Sequence, residues 1–246
     1  MAIPTPVAWA LLALCCSQAQ GSVGGPLKVA VAANFRAAFV IVGAEFERVQ
    51  GLELAPVFGS SGLLATQIRQ GAPFAAFLSA DMARPAALVR DGLATGPVRV
   101  YARGRVALWT PKGNASPADL EAGRVGLPNP KLAPYGQAAV ECMQALGAWE
   151  GVQNRLVFGN NVAQVGHFLT AGSLPAGFVA LGQLKAVDAP AERFWVCPEN
   201  AHQPIEQGAV VVRRSPMATA AEGLLDFIMA PARQARLAQL GYGADG

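Results

Sequence analysis

Short apolar runs alternate with stretches of helical period along most of the chain. Leu27 to Ala33 is an apolar run, and Phe35, Ala38, Phe39, Val42 and Phe46 follow at the three-to-four spacing of one helix face. Gly51 closes that helix. Leu52 to Phe58 predicts a second strand, and Ser60-Ser61 open a second helix that stops near Gly71. Phe74 to Leu78 predicts a third strand, and a helix from about Arg84 to Asp91 completes the first part. The order β-α-β-α-β-α predicts a parallel sheet with helices on both faces.

The second half repeats this grammar. Arg105 to Thr110 reads as a strand broken by Pro111-Lys112-Gly113, and Pro117 to Glu121 as a short helix capped by Ser116. Val125 to Leu127 is a brief strand. Pro128, Pro130 and Pro134 then stiffen an extended loop, after which Tyr135-Gly136 open a helix that runs to about Gly147. Arg155 to Phe158 predicts a strand. Asn160-Asn161-Val162 open a helix with Val165, Phe168 and Leu169 on one face. Gly177 to Leu181, Phe194 to Cys197 and Gly208 to Arg213 are further strands, and Ala218 to Leu240 is mostly helix.

Composition narrows the class. The chain has 246 residues, 52% of them hydrophobic and only 14% charged, enough to bury a large core in one domain or two lobes. A net charge of +3 without a Lys/Arg run excludes nucleic acid as a partner. Val7 to Cys16 is apolar and Ser17-Gln18-Ala19 supplies small residues, so residues 1–19 read as a secretory signal despite lacking Lys and Arg before the apolar run. Cys15 and Cys16 hint at a lipid anchor, but Leu14 stands where a small residue is wanted. No stretch after the signal reaches the ~18 unbroken apolar residues of a membrane span. Cleavage would leave Cys142 and Cys197. An oxidising compartment would allow them to pair, but the expectation is that both pack as small apolar side chains. Two His and no Cys pair at ligand spacing exclude a zinc site.

Four helix starts share one character: Ala33-Asn34, Ser60-Ser61, Pro134-Tyr135-Gly136 and Asn161-Val162. Each offers small or polar donors, with Arg36 as the nearest charge. Helix starts leave backbone N–H groups without intrahelical acceptors, and the peptide dipoles favour negative charge there. In open α/β sheets ligands lie beyond the carboxyl ends of the strands, where these turns fall. Two turns come from each half, so a cleft between halves would unite them. Neutral donors alone suit a fully ionised anion and disfavour one that carries its own proton, which points to molybdate, tungstate or sulfate rather than protonated phosphate.

Here the sequence resembles a family. Val31-Ala32-Ala33-Asn34-Phe35, Phe58-Gly59-Ser60-Ser61-Gly62, Gly71-Ala72-Pro73, Phe77-Leu78-Ser79-Ala80-Asp81 and Tyr101-Ala102-Arg103-Gly104-Arg105 look like the periplasmic molybdate-binding proteins of ABC importers. So do Leu146-Gly147-Ala148-Trp149, Gly177-Phe178-Val179-Ala180-Leu181 and Gly241-Tyr242-Gly243. The resemblance implies an α/β, two-lobed type II periplasmic-binding-protein fold, each lobe a mostly parallel sheet flanked by helices, with the ligand cleft between lobes. It implies lobe 1 from residues 26–103 plus 204–246 and lobe 2 from 104–203. The implied ligand-binding residues are Ala33, Asn34, Ser60, Ser61, Tyr135 and Val162. Molybdenum would be present only as the bound oxyanion, with no cofactor, no protein–metal ligand and no catalytic residue. The implied partners are the oxyanion and an ABC permease in the inner membrane, with the protein itself a periplasmic monomer. A tyrosine that some members supply falls on Ala180, so that contact is expected to be missing. An Asp usual in the family falls on Ala75, which would remove a carboxylate near the cleft wall.

Other candidates have simpler roles. Ser79-Ala80-Asp81 reads as a cap for the Arg84 helix, His167 as a packed or solvated side chain, and Trp109, Trp149 and Trp195 as packing residues. His202 lies in a connector from Glu199 to Pro204 that recrosses between lobes. Two alternative functions stand beside the main one: a binding protein for another oxyanion such as sulfate, and a secreted hydrolase using Ser60 or Ser61. A nucleophile needs a positioned base, and Gly-Ser-Ser-Gly is not the Gly-x-Ser-x-Gly elbow. The effector lobes of a transcription regulator share the architecture, but DNA-binding helices are missing.

Overall fold

The computed structural model describes residues 25–243; the signal-peptide reading and Cys15 and Cys16 lie outside them. The strands are β1 (Leu27–Ala32), β2 (Leu54–Gly59), β3 (Ala76–Leu78), β4 (Ala94–Gly104), β5 (Val106–Trp109), β6 (Val125–Pro128), β7 (Leu156–Gly159), β8 (Ala176–Ala180), β9 (Phe194–Val196) and β10 (Ile205–Val212). The α-helices are α1 (Arg36–Gln50), α2 (Ser61–Arg69), α3 (Ala83–Arg90), α4 (Pro134–Ala145), α5 (Trp149–Val152), α6 (Val162–Thr170), α7 (Leu181–Ala186), α8 (Ala218–Met229) and α9 (Pro231–Gln239). A 3-10 turn at Ala33–Phe35 leads into α1.

The strands form two five-stranded sheets, in the orders β2-β1-β3-β10-β4 and β7-β6-β8-β5-β9. Both sheets are mixed but mostly parallel in direction, with four strands running one way and a single strand against them. In the first, β1 pairs parallel with β2 and β3, while β10 enters antiparallel between β3 and β4. In the second, β6 pairs parallel with β7 and β8, and β5 runs antiparallel between β8 and β9. The chain leaves the first sheet after Gly104 and returns at Ile205.

Register places the turns. Ala32 pairs with Gly59 and Val31 with Leu78, so Ala33, Ser60 and Ser79 leave the first sheet side by side. Pro128 pairs with Gly159, so the Pro-rich loop and Asn160 leave the second sheet together. Burial explains why these runs are strands: Leu27, Val29, Ala30 and Val31 are all fully enclosed, which a strand covered on both faces requires. One face of the first sheet packs Phe35, Phe39 and Phe46 against Leu224, Leu225 and Ile228. The other packs Leu64 and Ile68 against Phe77 and Leu88.

Several elements differ from the sequence pattern. β4 lies outside the pattern, because Gly96, Pro97, Arg99 and Arg103 interrupt its apolar run; its long pairing with β10 stabilises it. α7 occupies a stretch without a readable period. The C-terminal helix is two helices, because Pro231 forces Ala230 into an extended conformation at ψ 140°. Among the described residues no helix is long and apolar enough to cross a membrane.

Two residue readings are corrected. Ala75 does not line a cleft. It is buried in the core just before β3, at the opposite end from Ser79, with its N–H donating to Lys28 O and its carbonyl accepting from Val212 N. Cys142 and Cys197 do not pack independently. They form a disulfide with Cα atoms 6.4 Å apart, joining α4 to the segment after β9. Sequence could not show this, because 55 residues separate them and only the stacking of α4 on the second sheet brings them together.

Opening the disulfide by Cys142→Ala with Cys197→Ala should cost about 2–4 kcal/mol, mostly through the freed unfolded chain. Urea unfolding of the oxidised and substituted proteins measures it; equal midpoints would mean the bond adds no stability.

Candidate functional site

The four helix starts converge where the two sheets meet. Ala33 and Ala80 from the first sheet side share one apolar cluster with Tyr135, Val162 and Ala180 from the second. α6 packs against the Ala33–Phe35 turn. The Gly62 N–H donates to Leu132 O at 3.0 Å, and Arg84 Nη2 donates to Lys131 O at 3.1 Å, so α2 and α3 touch the Pro-rich loop directly. The Arg84 guanidinium is also paired with Asp81.

Each predicted site residue has a distinct place. Ser60 is the N-cap of α2, its hydroxyl oxygen accepting from Leu63 N at 3.4 Å. Ser61, first residue of that helix, accepts from Ala80 N at 2.9 Å. That bond occupies a lone pair and leaves the Ser61 proton to donate elsewhere. Ala33 and Asn34 begin a helical turn, so their N–H groups have no intrahelical acceptor. The Asn34 side chain instead donates inward, to Gln207 Oε1 at 2.8 Å and to the Tyr135 hydroxyl at 3.4 Å. Tyr135 opens α4 behind Pro134, and its hydroxyl also accepts from Gln207 Nε2 at 3.3 Å. Val162 is the first residue of α6, whose cap Asn161 accepts from Gln164 N at 3.0 Å.

The structure adds residues that the sequence pattern did not reveal. Gln207 of β10 is fully buried and links Asn34 and Tyr135. The Tyr101 hydroxyl donates to Gln207 Oε1 at 2.9 Å, and the Tyr242 hydroxyl to Asn34 O at 2.7 Å. The sequence carries no clear signal for Gln207, which follows Glu206 at the polar start of β10, before its apolar run. Gly104 is required by a close approach, because a methyl there would overlap the Tyr135 hydroxyl and crowd Gln207 Nε2.

The electrostatic character is neutral. The buried polar side chains among the described residues are Asn34, Ser60, Ser61, Ser79, Thr110 and Gln207, none of them ionisable under ordinary conditions. Arg36 is exposed and lies over the Phe58 ring at 4.0 Å rather than pointing into the junction. An adjacent cleft of about 400 Å³ carries the charges instead, with Asp81, Arg84, Glu141 and Glu206 on its walls. His167 is exposed on α6, and His202 contacts Gln203 O at 2.8 Å in the connector. Trp109, Trp149 and Trp195 pack against the cores of the second sheet.

All three tyrosines of the chain surround this point. Burial raises each of their pKa values above the usual 10.0; hydrogen bonds from Asn34 and Gln207 only partly offset this for Tyr135. The phenols therefore remain neutral donors at any physiological pH. Tyr101 and Tyr242 give their protons to Gln207 and Asn34, so the donors left to meet an anion without a counter-charge are the Ser61 hydroxyl and the helix-start N–H groups.

The sequence matches the family described as bacterial extracellular solute-binding protein over residues 27–243. It is 38% identical to the molybdate-binding protein ModA of Rhodobacter capsulatus, covering 94% of this chain and 93% of that one. The ModA of Azotobacter vinelandii is 35% identical, with 88% and 89% covered. The solved Azotobacter vinelandii periplasmic molybdate-binding protein superposes with a TM-score of 0.83 at 31% identity, covering 89% of this chain and 100% of that chain. The sulfate-binding protein SubI from Mycobacterium tuberculosis H37Rv shares the fold at a TM-score of 0.74 and 15% identity, with 89% and 86% covered.

The tyrosine environment is open to a direct check. The unfolded chain releases phenolic protons near pH 10 that the folded chain keeps, so stability is full below that pH and declines as pH rises past it. Ultraviolet titration should show no phenolate absorbance until the protein unfolds. A tyrosine that ionises reversibly near pH 10 in the folded protein would contradict this burial.

Proposed function

Because the chain belongs to the bacterial extracellular solute-binding protein family, we propose that it binds molybdate and presents it to an ABC permease. The supporting observation is the junction of four helix starts with neutral donors and, among the described residues, no buried charged side chain. In this reading Ser61 donates its hydroxyl proton, and the N–H groups of Ala33, Asn34 and Val162 add backbone donors. Tyr135 adds the backbone N–H at the start of α4. Ser60 is assigned to the helix, whose N-cap it forms, and Ser61 to the ligand.

A dianion leaves water only if its oxygens meet donors on all sides. Neither sheet with its helices supplies them alone, so the ligand favours the closed arrangement of two lobes, residues 26–103 plus 204–246 and residues 104–203. The contacts of Gly62 with Leu132 and of Arg84 with Lys131 are those that closure would make. Tungstate, of the same charge and shape, is bound as well. One chain completes the site, so the working unit is a monomer. The Cys142–Cys197 disulfide fits a periplasmic location.

Calorimetric titration with molybdate, with sulfate and phosphate as comparators, tests this reading. One-to-one molybdate binding without a phosphate response is expected. Binding of sulfate alone would reassign the ligand, and no response to any oxyanion would remove the function. Ser61→Ala should weaken molybdate binding by about 1.5–3 kcal/mol, the range for a hydrogen bond to a charged group. Ser60→Ala should instead cost about 1 kcal/mol of stability as a lost cap, with affinity little changed. Equal affinity losses in the two variants would contradict the division of roles.

A further inference from the structure

Two hydrogen bonds join the halves of the junction without using any donor assigned to the ligand. The Gly62 N–H donates to Leu132 O at 3.0 Å, and Arg84 Nη2 donates to Lys131 O at 3.1 Å. Both acceptors are carbonyls of the Pro-rich loop, and they are adjacent. The loop satisfies its own N–H groups: Lys131 N donates to Asn129 Oδ1 and Leu132 N to Asn129 O, each at 3.0 Å. The two carbonyls are thus offered outward from a turn that Pro130 and Pro134 stiffen and that the Asn129 N–H ties to Gly159 O at 2.7 Å.

The opposing side is equally fixed. The Arg84 guanidinium is paired with Asp81, and the Arg84 N–H donates to Asp81 Oδ1 at 2.8 Å. The turn before it is mounted on β10, with Ser79 N donating to Gly208 O at 2.8 Å and Gly208 N to Asp81 O at 3.2 Å. The same turn holds the Ser61 hydroxyl through the Ala80 N–H. Gly62 has no space to spare: a methyl there would stand 3.1 Å from Leu132 O and 3.2 Å from Leu132 Cα. The Leu132 carbonyl also faces the positive end of α2.

Place in the fold decides what these contacts do. The chain passes between the sheets after Gly104 and before Ile205, through β4, β5, β9 and β10. Those strands lie toward one edge of each sheet. Gly62 follows β2 at the other edge of the first sheet, and the Pro-rich loop follows β6, beside the edge strand β7 of the second. Rotation about the crossings carries the far edges through the longest arc, so the bonds to Leu132 and Lys131 break early when the halves part. Resting on the oxyanion reading above, we infer that Gly62 and Arg84 are positioning residues that latch the two lobes over the bound ion and set its rate of release. They hold a pair of carbonyls and not the ion, so they favour the closed arrangement whichever oxyanion it contains. The open arrangement lacks them, so entry of the ion does not depend on them and escape does.

Two substitutions weaken the latch in different ways. Gly62→Ala keeps the N–H but crowds Leu132, and Arg84→Lys keeps the charge but gives up the planar fork that serves Asp81 and Lys131 O together. Chasing labelled molybdate with excess unlabelled molybdate reads the dissociation rate. Calorimetry reads the affinity, and the two together give the association rate. Dissociation should quicken about three- to tenfold in each variant, the scale of a single hydrogen bond, with association unchanged. Urea unfolding of the ligand-free proteins separates this from general loosening. Alanine favours a helix over glycine, so Gly62→Ala should unfold no earlier than the wild type while releasing the ion faster. Unchanged dissociation in either variant, or an affinity loss carried by association, would overturn the latch. Faster release in Gly62→Ala that comes with an earlier unfolding midpoint would overturn it too. A wild type that binds no oxyanion would sink the oxyanion reading itself, whereas a wild type that binds while the variants release at its rate defeats the latch alone.

Discussion

The amide–phenol contacts among Asn34, Gln207 and Tyr135 bind the two sheets at a point enclosed by protein. Buried polar groups without partners cost about 1–3 kcal/mol each, so these groups must meet in one mutual arrangement. Asn34 reaches the point only if β1 ends at Ala32, Gln207 only if β10 lies beside β3, and Tyr135 only if α4 begins at Pro134. The fold around the site follows from that requirement. Gly104 leaves room for the phenol, Tyr242 holds the Asn34 carbonyl, and Ala80 holds Ser61.

Around this polar point the packing is apolar and continuous. Ala32, Ala33 and Ala80 share their cluster with Phe178, Val162 and Ile205, so the junction carries core-like packing rather than a wet groove. The small side chains are the reason this is possible. Alanines at the strand ends, Ala32, Ala33 and Ala80, let the turns of the two sheets approach one another closely. Low charge inside and paired charge outside separate two regions: the junction is neutral, while the Asp81–Arg84 pair and the Arg84–Lys131 contact lie at its edge, where α3 touches the Pro-rich loop.

Much of this was readable from residue order, and what was not has identifiable causes. Ala33-Asn34, Ser60-Ser61, Tyr135 and Val162 were visible because each stands at a change from apolar run to helical period, and that change is a local property. Tertiary pairing decided the rest. β4 exists because β10 pairs with it, although its own sequence carries Gly96, Pro97 and two arginines on the way to Gly104. The partnership of Cys142 with Cys197 and the hub role of Gln207 depend on contacts far apart in the chain. The different duties of Ser60 and Ser61 rest on which way two neighbouring hydroxyls point at the start of one helix. Ala75 shows the converse error: a residue judged by family pattern to be near the cleft sits at the far end of its strand.

The position of β10 also sets an order of assembly. Among the described residues it is the last strand in sequence, yet it lies between β3 and β4, and β4 has no other strand neighbour in its sheet. In the order of the chain, β2, β1 and β3 have one another as partners early, but β4 must wait for the strand that begins at Ile205. Every strand of the second sheet lies between Val106 and Val196, so that sheet has all its partners before the first sheet can close. The half that begins the polypeptide is therefore the half completed last, and Gln207 arrives with the strand that completes it.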